Sequence, residues 1–139
     1  MALDIDKDGD TDLFVGGRVQ PGRYPEPADS RVLLNNGNGV FTDETARLAP
    51  FLGKFGMVTD AVPMDVDSDG WPDLVLVGEW MPITVLRNEQ GKRLAPPVAI
   101  QSAGWWNRIE KADLDGDGDD DLVLGNFGRN CQMKPTDQE

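Results

Sequence analysis

The stretch Asp65-Val66-Asp67-Ser68-Asp69-Gly70-Trp71-Pro72-Asp73-Leu74 has the pattern D-x-D-x-D-G-x-x-D-L. The same pattern occurs twice more, at residues 4–13 and 113–122. Carboxylates at positions 1, 3, 5 and 9 of a tight loop can converge on one hard cation, with the position-7 backbone carbonyl adding a neutral oxygen ligand. We call these segments loop one (4–13), loop two (65–74) and loop three (113–122).

The predicted metal ligands occupy the same positions in every loop. In loop one they are Asp4, Asp6, Asp8 and Asp12, with the backbone carbonyl of Asp10. In loop two they are Asp65, Asp67, Asp69 and Asp73, with the carbonyl of Trp71. In loop three they are Asp113, Asp115, Asp117 and Asp121, with the carbonyl of Asp119. All-oxygen sites favour Ca²⁺, because Mg²⁺ prefers a stricter octahedron and Zn²⁺ prefers nitrogen or sulfur, so we expect up to three Ca²⁺.

Two features separate these loops from ordinary acidic turns. Position 6 is glycine each time (Gly9, Gly70 and Gly118), as expected where the chain turns with positive φ. Without an ion, so many carboxylates within nine residues would repel one another. A lone copy could be a solvated surface turn, but three copies that share the glycine, the position-9 aspartate and the following leucine indicate cation binding.

The residues after each loop exclude an EF-hand. An EF-hand needs a bidentate Glu at position 12 and flanking helices, whereas position 12 here is Val15, Leu76 or Leu124. Short apolar runs that end near glycine follow each loop and are typical of buried strands. The ion is therefore predicted to lie in a turn between two strands.

The loops mark an internal repeat, because Asp4 to Asp65 is 61 residues and Asp65 to Asp113 is 48. Apolar segments precede loops two and three, at 56–61 and 104–109. Hairpins are predicted from strand 31–34 through turn 35–39 to strand 40–42, and from strand 83–87 through turn 88–91 to a return strand near Arg93 and Leu94. Extra residues at 20–28 predict a surface loop in the first unit.

Each unit thus reads as strand, loop, strand, connection and hairpin, which is the size and content of a β-propeller blade. We predict an all-β fold of four-stranded antiparallel blades, with about two to two and a half blades in the chain. Blade one is 1–50, blade two is 51–99, a half blade is 100–130, and 131–139 is a polar tail. Blade one is expected to lack its opening strand, since only three residues precede Asp4.

The loops resemble those of FG-GAP/VCBS repeats, the calcium-binding blades of integrin α-subunit propellers and of many bacterial secreted proteins. Residues 16–18, 24–25, 33–41, 78–82 and 124–130 are most similar to the ASPIC/cartilage-acidic-protein-like branch. The resemblance covers about residues 3–130 and implies that the loop carboxylates bind Ca²⁺. Propellers of that family have more blades than this chain supplies. The chain is therefore expected to be a fragment, or a protomer that completes a ring as a homo-oligomer.

Composition disfavours several other functions. The chain has no histidine, which excludes Ser-His-Asp and Cys-His arrangements, and it has no phosphate-binding glycine loop. A net charge of −12 with only 13 Lys and Arg disfavours nucleic acid. No apolar run is long enough to insert into a membrane, and no secretory signal is present. Because weak Ca²⁺ loops fill where Ca²⁺ is abundant, an extracellular or periplasmic location is expected.

These patterns predict a non-catalytic Ca²⁺-binding scaffold whose partner is a protein or a carbohydrate. Two alternatives stay open at this point: the propeller part of a secreted polysaccharide-degrading enzyme, and a purely structural module without a ligand. The ions are expected to rigidify the blades, although one that bridges to a ligand is also compatible with the pattern. Trp106 is expected to pack between blades, and Trp80 either packs there or lies on a rim, where it would stack on a sugar or a partner.

Overall fold

A computed structural model of the chain describes residues 1–100 and 103–127. The predicted polar tail 131–139 and residues 128–130 of the predicted half blade lie outside the described residues. Apart from one helix and one 3₁₀ turn, the regular structure of the described part is β-strand. None of its helices is long and apolar enough to cross a membrane.

The first unit is a four-stranded antiparallel sheet, in the order β1 (Ala2–Leu3), β2 (Asp12–Val15), β3 (Arg31–Asn35) and β4 (Phe41–Asp43). The prediction that this unit lacks its opening strand is wrong. Ala2 pairs with Leu13 and Leu3 with Asp12, and the N–H of Phe14 donates to Met1 O at 2.9 Å. Two residues suffice for this strand because loop one returns the chain directly alongside it.

The second unit contains β5 (Met57–Met64), β6 (Asp73–Met81), β7 (Thr84–Leu86) and β8 (Val98–Ala99), each paired antiparallel to the next. The return strand predicted near Arg93 and Leu94 is reduced to an isolated bridge between Asn88 and Leu94. Leu94 turns inward and donates its N–H to Leu48 O at 2.7 Å, and Pro96 and Pro97 have no N–H to donate. The fourth strand therefore starts only at Val98.

The third unit consists of β9 (Gly104–Ala112) and β10 (Asp121–Asn126), which pair antiparallel. β9 also pairs with the end of β6, through Glu79 with Trp105 and Met81 with Gly104. β6 therefore carries β5 along one edge, and β7 and the start of β9 along the other. The third unit is thus joined to the second by main-chain pairing as well as by side-chain packing.

A helix, α1 (Thr45–Leu48), and a 3₁₀ turn (Pro50–Leu52) connect the first unit to the second. Neither was predicted, because this connection carries no marked helical period. Both turn apolar side chains inward, and Leu48, Ala49 and Leu52 are buried. The connection therefore belongs to the core between the two units.

The core has two clusters, one on each face of β6. The first packs residues of units one and two together, including Phe14 and Leu48 with Leu74 and Leu76 of β6. The second packs Val75 and Val77 of β6 against Ile109 of β9, with Trp106 partly buried beside them. Because side chains alternate along a strand, β6 supplies both clusters and separates them. The described fold is therefore a row of packed β-units, as predicted from the repeat, and its sheets do not close into a barrel.

Gly78 lies in β6 opposite Val58, where the main chain of β5 is very close. A Cβ at this position would collide with Met57 O and with the sulfur of Met81. Only glycine lets the strands approach this closely, directly before the residues of β6 that pair with β9.

We expect Gly78→Ala to destabilise the fold by about 1–3 kcal/mol, because backbone atoms of β5 must move. The control is Gly53→Ala, where φ is −63° and the nearest atom to an added Cβ is Asp29 Oδ1 at 4.0 Å. The control should change stability by less than about 0.5 kcal/mol. Urea unfolding of both variants tests this, and equal losses would contradict it.

Candidate metal centres

Each loop brings acidic side chains together. In the described part of the chain, three groups have carboxylate oxygens within 4.8 Å of one another: Asp4, Asp6 and Asp8; Asp65, Asp67 and Asp73; Asp113, Asp115 and Asp121. Positions 1 and 3 of the pattern therefore converge in every loop. Position 5 joins them in loop one, and position 9 joins them in loops two and three. The groups do not include three of the predicted carboxylate ligands, Asp12, Asp69 and Asp117.

Three hydrogen bonds recur in all three loops and give them one shape. The position-1 carboxylate accepts the position-6 N–H, as in Asp65 Oδ2 with Gly70 N at 2.8 Å. The position-5 carboxylate accepts the position-7 N–H, as in Asp69 Oδ1 with Trp71 N at 2.8 Å. The position-9 carboxylate accepts the position-2 N–H, as in Asp73 Oδ2 with Val66 N at 3.0 Å. The acids are thus held by the backbone of their own loop.

Two positions in each loop have left-handed backbone. The position-6 glycines have φ of 94°, 87° and 99°, as the sequence predicted. Position 4 is left-handed too, with φ of 58° at Lys7, 59° at Ser68 and 79° at Gly116. The second position was missed because Lys and Ser rarely adopt this conformation. The glycine at position 4 of loop three was the available signal.

In loops one and two, the position-9 aspartate also joins the loop to the hairpin of its unit. Asp12 and Asp73 are 0% and 1% exposed. Asp12 Oδ2 accepts the N–H of Ile5 at 2.9 Å and its Oδ1 that of Asn35 at 2.8 Å. Asp73 Oδ1 likewise accepts the N–H of Asn88 at 2.7 Å, beside its bond within loop two. Position 9 therefore has a structural role that the ligand pattern alone did not reveal. An oxygen that accepts one N–H keeps a second lone pair for a cation.

Loop one contains carboxylate oxygens that have no donor. Asp4 Oδ1 and Asp6 Oδ1 are buried and have no hydrogen-bond partner among the described residues. Burial, and then the charges of Asp8, Asp12 and Asp4, raise the pKa of Asp6. An unpaired buried acceptor costs about 1–3 kcal/mol, and a cation would remove that cost. These oxygens and the all-oxygen donor set fit Ca²⁺.

Loop two shares a buried position-9 aspartate with loop one, although its Asp65, Asp67 and Asp69 are exposed, and loop three is more open than both. Burial raises the pKa of Asp73, and the N–H groups of Asn88 and Val66 partly offset it. Hairpin turns lie against the first two loops, with Gly37 close to Asp10 of loop one, and Gly91 close to both Asp6 of loop one and Trp71 of loop two. All the acids of loop three are exposed, and the described residues of its unit contain no second hairpin after β10 that could cover the loop. We therefore expect the third site to be the least rigid.

Loops one and two contact each other. Lys7 Nζ donates to Gly70 O and lies 4.8 Å from the centre of the Trp71 ring. The side-chain amide of Asn88 donates to Ile5 O at 2.7 Å and to Pro72 O at 3.1 Å, so it joins both loops to the second hairpin. Neither Lys7 nor Asn88 was predicted, because their partners are far away in the sequence.

A cavity of about 440 Å³ opens beside loop two, lined by Asp67 and Asp69 and by residues of the second hairpin. Arg87 Nη1 lies 3.6 Å from Asp67 Oδ2 at this cavity. The lining also contains Glu89 and Lys92, so its charges are mixed. Solvent or a small ligand can approach loop two from this side.

Comparison with protein-family models agrees with this geometry. Residues 4–76 and 65–124 each match the FG-GAP-like repeat. The chain belongs to this family. Both matches begin at a position-1 aspartate, Asp4 or Asp65, and the shared residues 65–76 contain loop two, so the FG-GAP-like repeats follow the loop-to-loop period. No curated protein and no solved structure matches the chain. The closer resemblance to the ASPIC-like branch stays a prediction.

Position 9 and position 5 of loop two should respond differently to loss of charge. Asp73→Asn replaces one accepting oxygen with an amino group that faces a backbone N–H, so we expect a loss of about 1–3 kcal/mol even with chelator present. Asp69→Asn keeps the oxygen that accepts Trp71 N and lies at an exposed position. That variant should lose less than about 0.5 kcal/mol in chelator.

Urea unfolding of both variants in chelator is the measurement. Equal destabilisation by the two substitutions in chelator would contradict the structural role assigned to position 9.

Proposed function

We propose that this chain is a Ca²⁺-binding β-propeller repeat module that has no catalytic role and acts outside the cell as a scaffold for a protein or carbohydrate ligand. The observation that carries the proposal is the pair of buried, unpartnered oxygens, Asp4 Oδ1 and Asp6 Oδ1, in a loop whose hydrogen bonds recur in two further loops. Membership of the FG-GAP-like family supports the repeat module.

The ions would act by stabilising the turns between strands. In each loop the carboxylates at positions 1 and 3, with those at positions 5 and 9, would hold the cation, and the position-7 carbonyl would complete the shell. The bound charge would offset repulsion among the acids and remove the cost of buried, unpaired oxygens. The hairpins that cover loops one and two would then be fixed as well, through Asp12 and Asp73.

Location and partners follow from the same chemistry. Loops of this kind fill where Ca²⁺ is abundant, which favours an extracellular or periplasmic setting, and FG-GAP repeats are typical of extracellular proteins. The net charge of −12 argues against nucleic acid as a partner. The edge strands β4 and β10 have unpaired outer edges in the described structure, and association of copies into a ring would cover them.

The test is thermal unfolding and calorimetric titration with Ca²⁺, Mg²⁺ and chelator. With a Kd of about 0.1 mM and about 1 mM Ca²⁺, each ion stabilises by about 1.4 kcal/mol, so three give about 4 kcal/mol. We expect Tm to rise by roughly 10–20 °C with Ca²⁺ and by less with Mg²⁺. Light scattering on the same samples measures self-association.

The matched control is the double variant Asp4→Asn and Asp6→Asn, which should lower the number of bound Ca²⁺ by one. A folded chain whose Tm is the same with Ca²⁺ and with chelator would overturn the proposal. Turnover of polysaccharide by the purified chain would instead favour the enzyme alternative.

A further inference from the structure

A group of aromatic side chains lies at the end of the strands opposite the acidic loops. β6 leaves loop two at Asp73 and reaches Trp80 seven residues later, about 23 Å along an extended strand. Trp80, Trp105, Phe127 and Tyr24 meet there, and we call these four residues the aromatic rim. The rim is therefore a separate surface from the candidate metal centres.

The rings form a continuous row. The Trp80 and Trp105 ring centroids are 5.1 Å apart with planes at 43°, and those of Trp105 and Phe127 are 5.3 Å apart with planes at 27°. Tyr24 joins the row at the other end, where its hydroxyl oxygen accepts the indole N–H of Trp80 at 2.9 Å. Tyr24, Trp80 and Phe127 are 53%, 40% and 52% exposed, so the row presents aromatic surface to solvent.

The rim is built from residues of all three units, and one of them, Trp80, has an unfavourable backbone conformation. Tyr24 comes from the loop inserted in the first unit, Trp80 from the second unit, and Trp105 and Phe127 from the third. Trp80 has φ of 59°, a conformation that costs a bulky residue about 1–3 kcal/mol. The Trp80 ring contacts Tyr24 and Trp105, and 40% of the residue's surface stays exposed. Local strain of this kind occurs at ligand-binding positions.

Polar groups border the rim without giving it a net charge. The guanidinium of Arg18 binds Glu79 Oε1 through Nε at 2.7 Å and also through Nη2. The Glu79 side chain is 1% exposed and its Oε2 has no described partner, whereas that of Arg18 is 60% exposed. The remaining Nη1 of Arg18 and the hydroxyl proton of Tyr24 are donors suited to a ligand hydroxyl. Arg18 and Glu79 neutralise each other's charge, so together they add no net charge to the rim.

We infer that the aromatic rim binds a neutral oligosaccharide, an assignment that rests on the proposed binding role and names its site and ligand class. Aromatic faces pack against the C–H faces of a pyranose ring, while its hydroxyls need polar partners at the margin, as Arg18 and Tyr24 provide. The chain's charge of −12 disfavours an anionic polysaccharide or a nucleic acid, although bases also stack on aromatic rings. A row of several rings suits more than one sugar unit.

Affinity electrophoresis of the full chain in Ca²⁺ tests the inference, with gels that contain a β-glucan, a xyloglucan, a galactomannan or, as the anionic comparison, polygalacturonate. Calorimetry then gives Kd for any polysaccharide that retards the chain. The first variant is Trp80→Gly, which removes the ring while glycine adopts φ of 59° without strain. The second is Phe127→Ala, at the far end of the row. The matched control is Phe41→Ala, which removes a part-exposed aromatic ring from β4, beside Asn35 at the loop end.

We expect at least one neutral polysaccharide to bind, and Trp80→Gly and Phe127→Ala each to weaken it about tenfold or more. Phe41→Ala should bind as the unaltered chain does. Any of four results would overturn the inference: no binding to any neutral polysaccharide, unchanged binding by Trp80→Gly, equal loss in Phe41→Ala, or binding of polygalacturonate alone. Capture of a protein partner that Trp80→Gly abolishes, without polysaccharide binding, would make the rim a protein-docking surface and also overturn it.

Calcium titration of the same samples separates this inference from the proposed function. Trp80→Gly should keep the Ca²⁺ stoichiometry and the Ca²⁺-dependent rise in Tm of the unaltered chain. If Ca²⁺ stabilises the chain but no polysaccharide binds, the rim assignment fails and the Ca²⁺ module stands. If polysaccharide binds but Ca²⁺ does not stabilise the chain, the rim assignment stands and the Ca²⁺ module fails.

Discussion

Two buried carboxylates, Asp12 and Asp73, hold the described structure together. Each begins a central strand, closes its own loop with one oxygen and accepts a hairpin N–H with the other. A charged group buried this completely is tolerated only when its lone pairs are satisfied. Asp12 and Asp73 therefore stabilise the fold even without an ion, because each fixes both its loop and the strand that follows it.

The seam between the first two units depends on the same loops. Asn88 uses its whole amide: the nitrogen donates to Ile5 O and Pro72 O, and the oxygen accepts Gly91 N at 2.8 Å. Because Ile5 is in loop one and Pro72 in loop two, ordering either loop also orders the group that binds the other. The core cluster beneath contains Ile5 and Leu74, residues of these two loops. The candidate metal sites, the hairpins that cover them and the packing between units thus share one set of contacts.

The sequence predicted the features whose causes are local. The loops, their position-6 glycines and the strands that follow depend on residues within about ten positions of one another, and the structure has them. The return strand was placed too early, although Pro96 and Pro97 in the sequence already argued against a ladder there. The left-handed backbone at Lys7 and Ser68 is a property of the loop itself, and Gly116 at the same position of loop three was its one signal in the sequence. The contact of Asn88 with Ile5 joins two units, and a single sequence could not give it.

The aromatic rim shows the same division between local and distant causes. Trp80 could be recognised as a candidate surface residue from its place at a strand end, but its neighbours come from residues 24, 105 and 127, which only the stacking of three units brings together. Trp80 is the second-last residue of β6, a strand that is buried on both faces by the two core clusters. A strand fixed in this way has little freedom to shift along its length. The loop end and the rim end are therefore held at a constant separation. An ion that ordered the acidic loops, as proposed, would for this reason also limit movement of the rim.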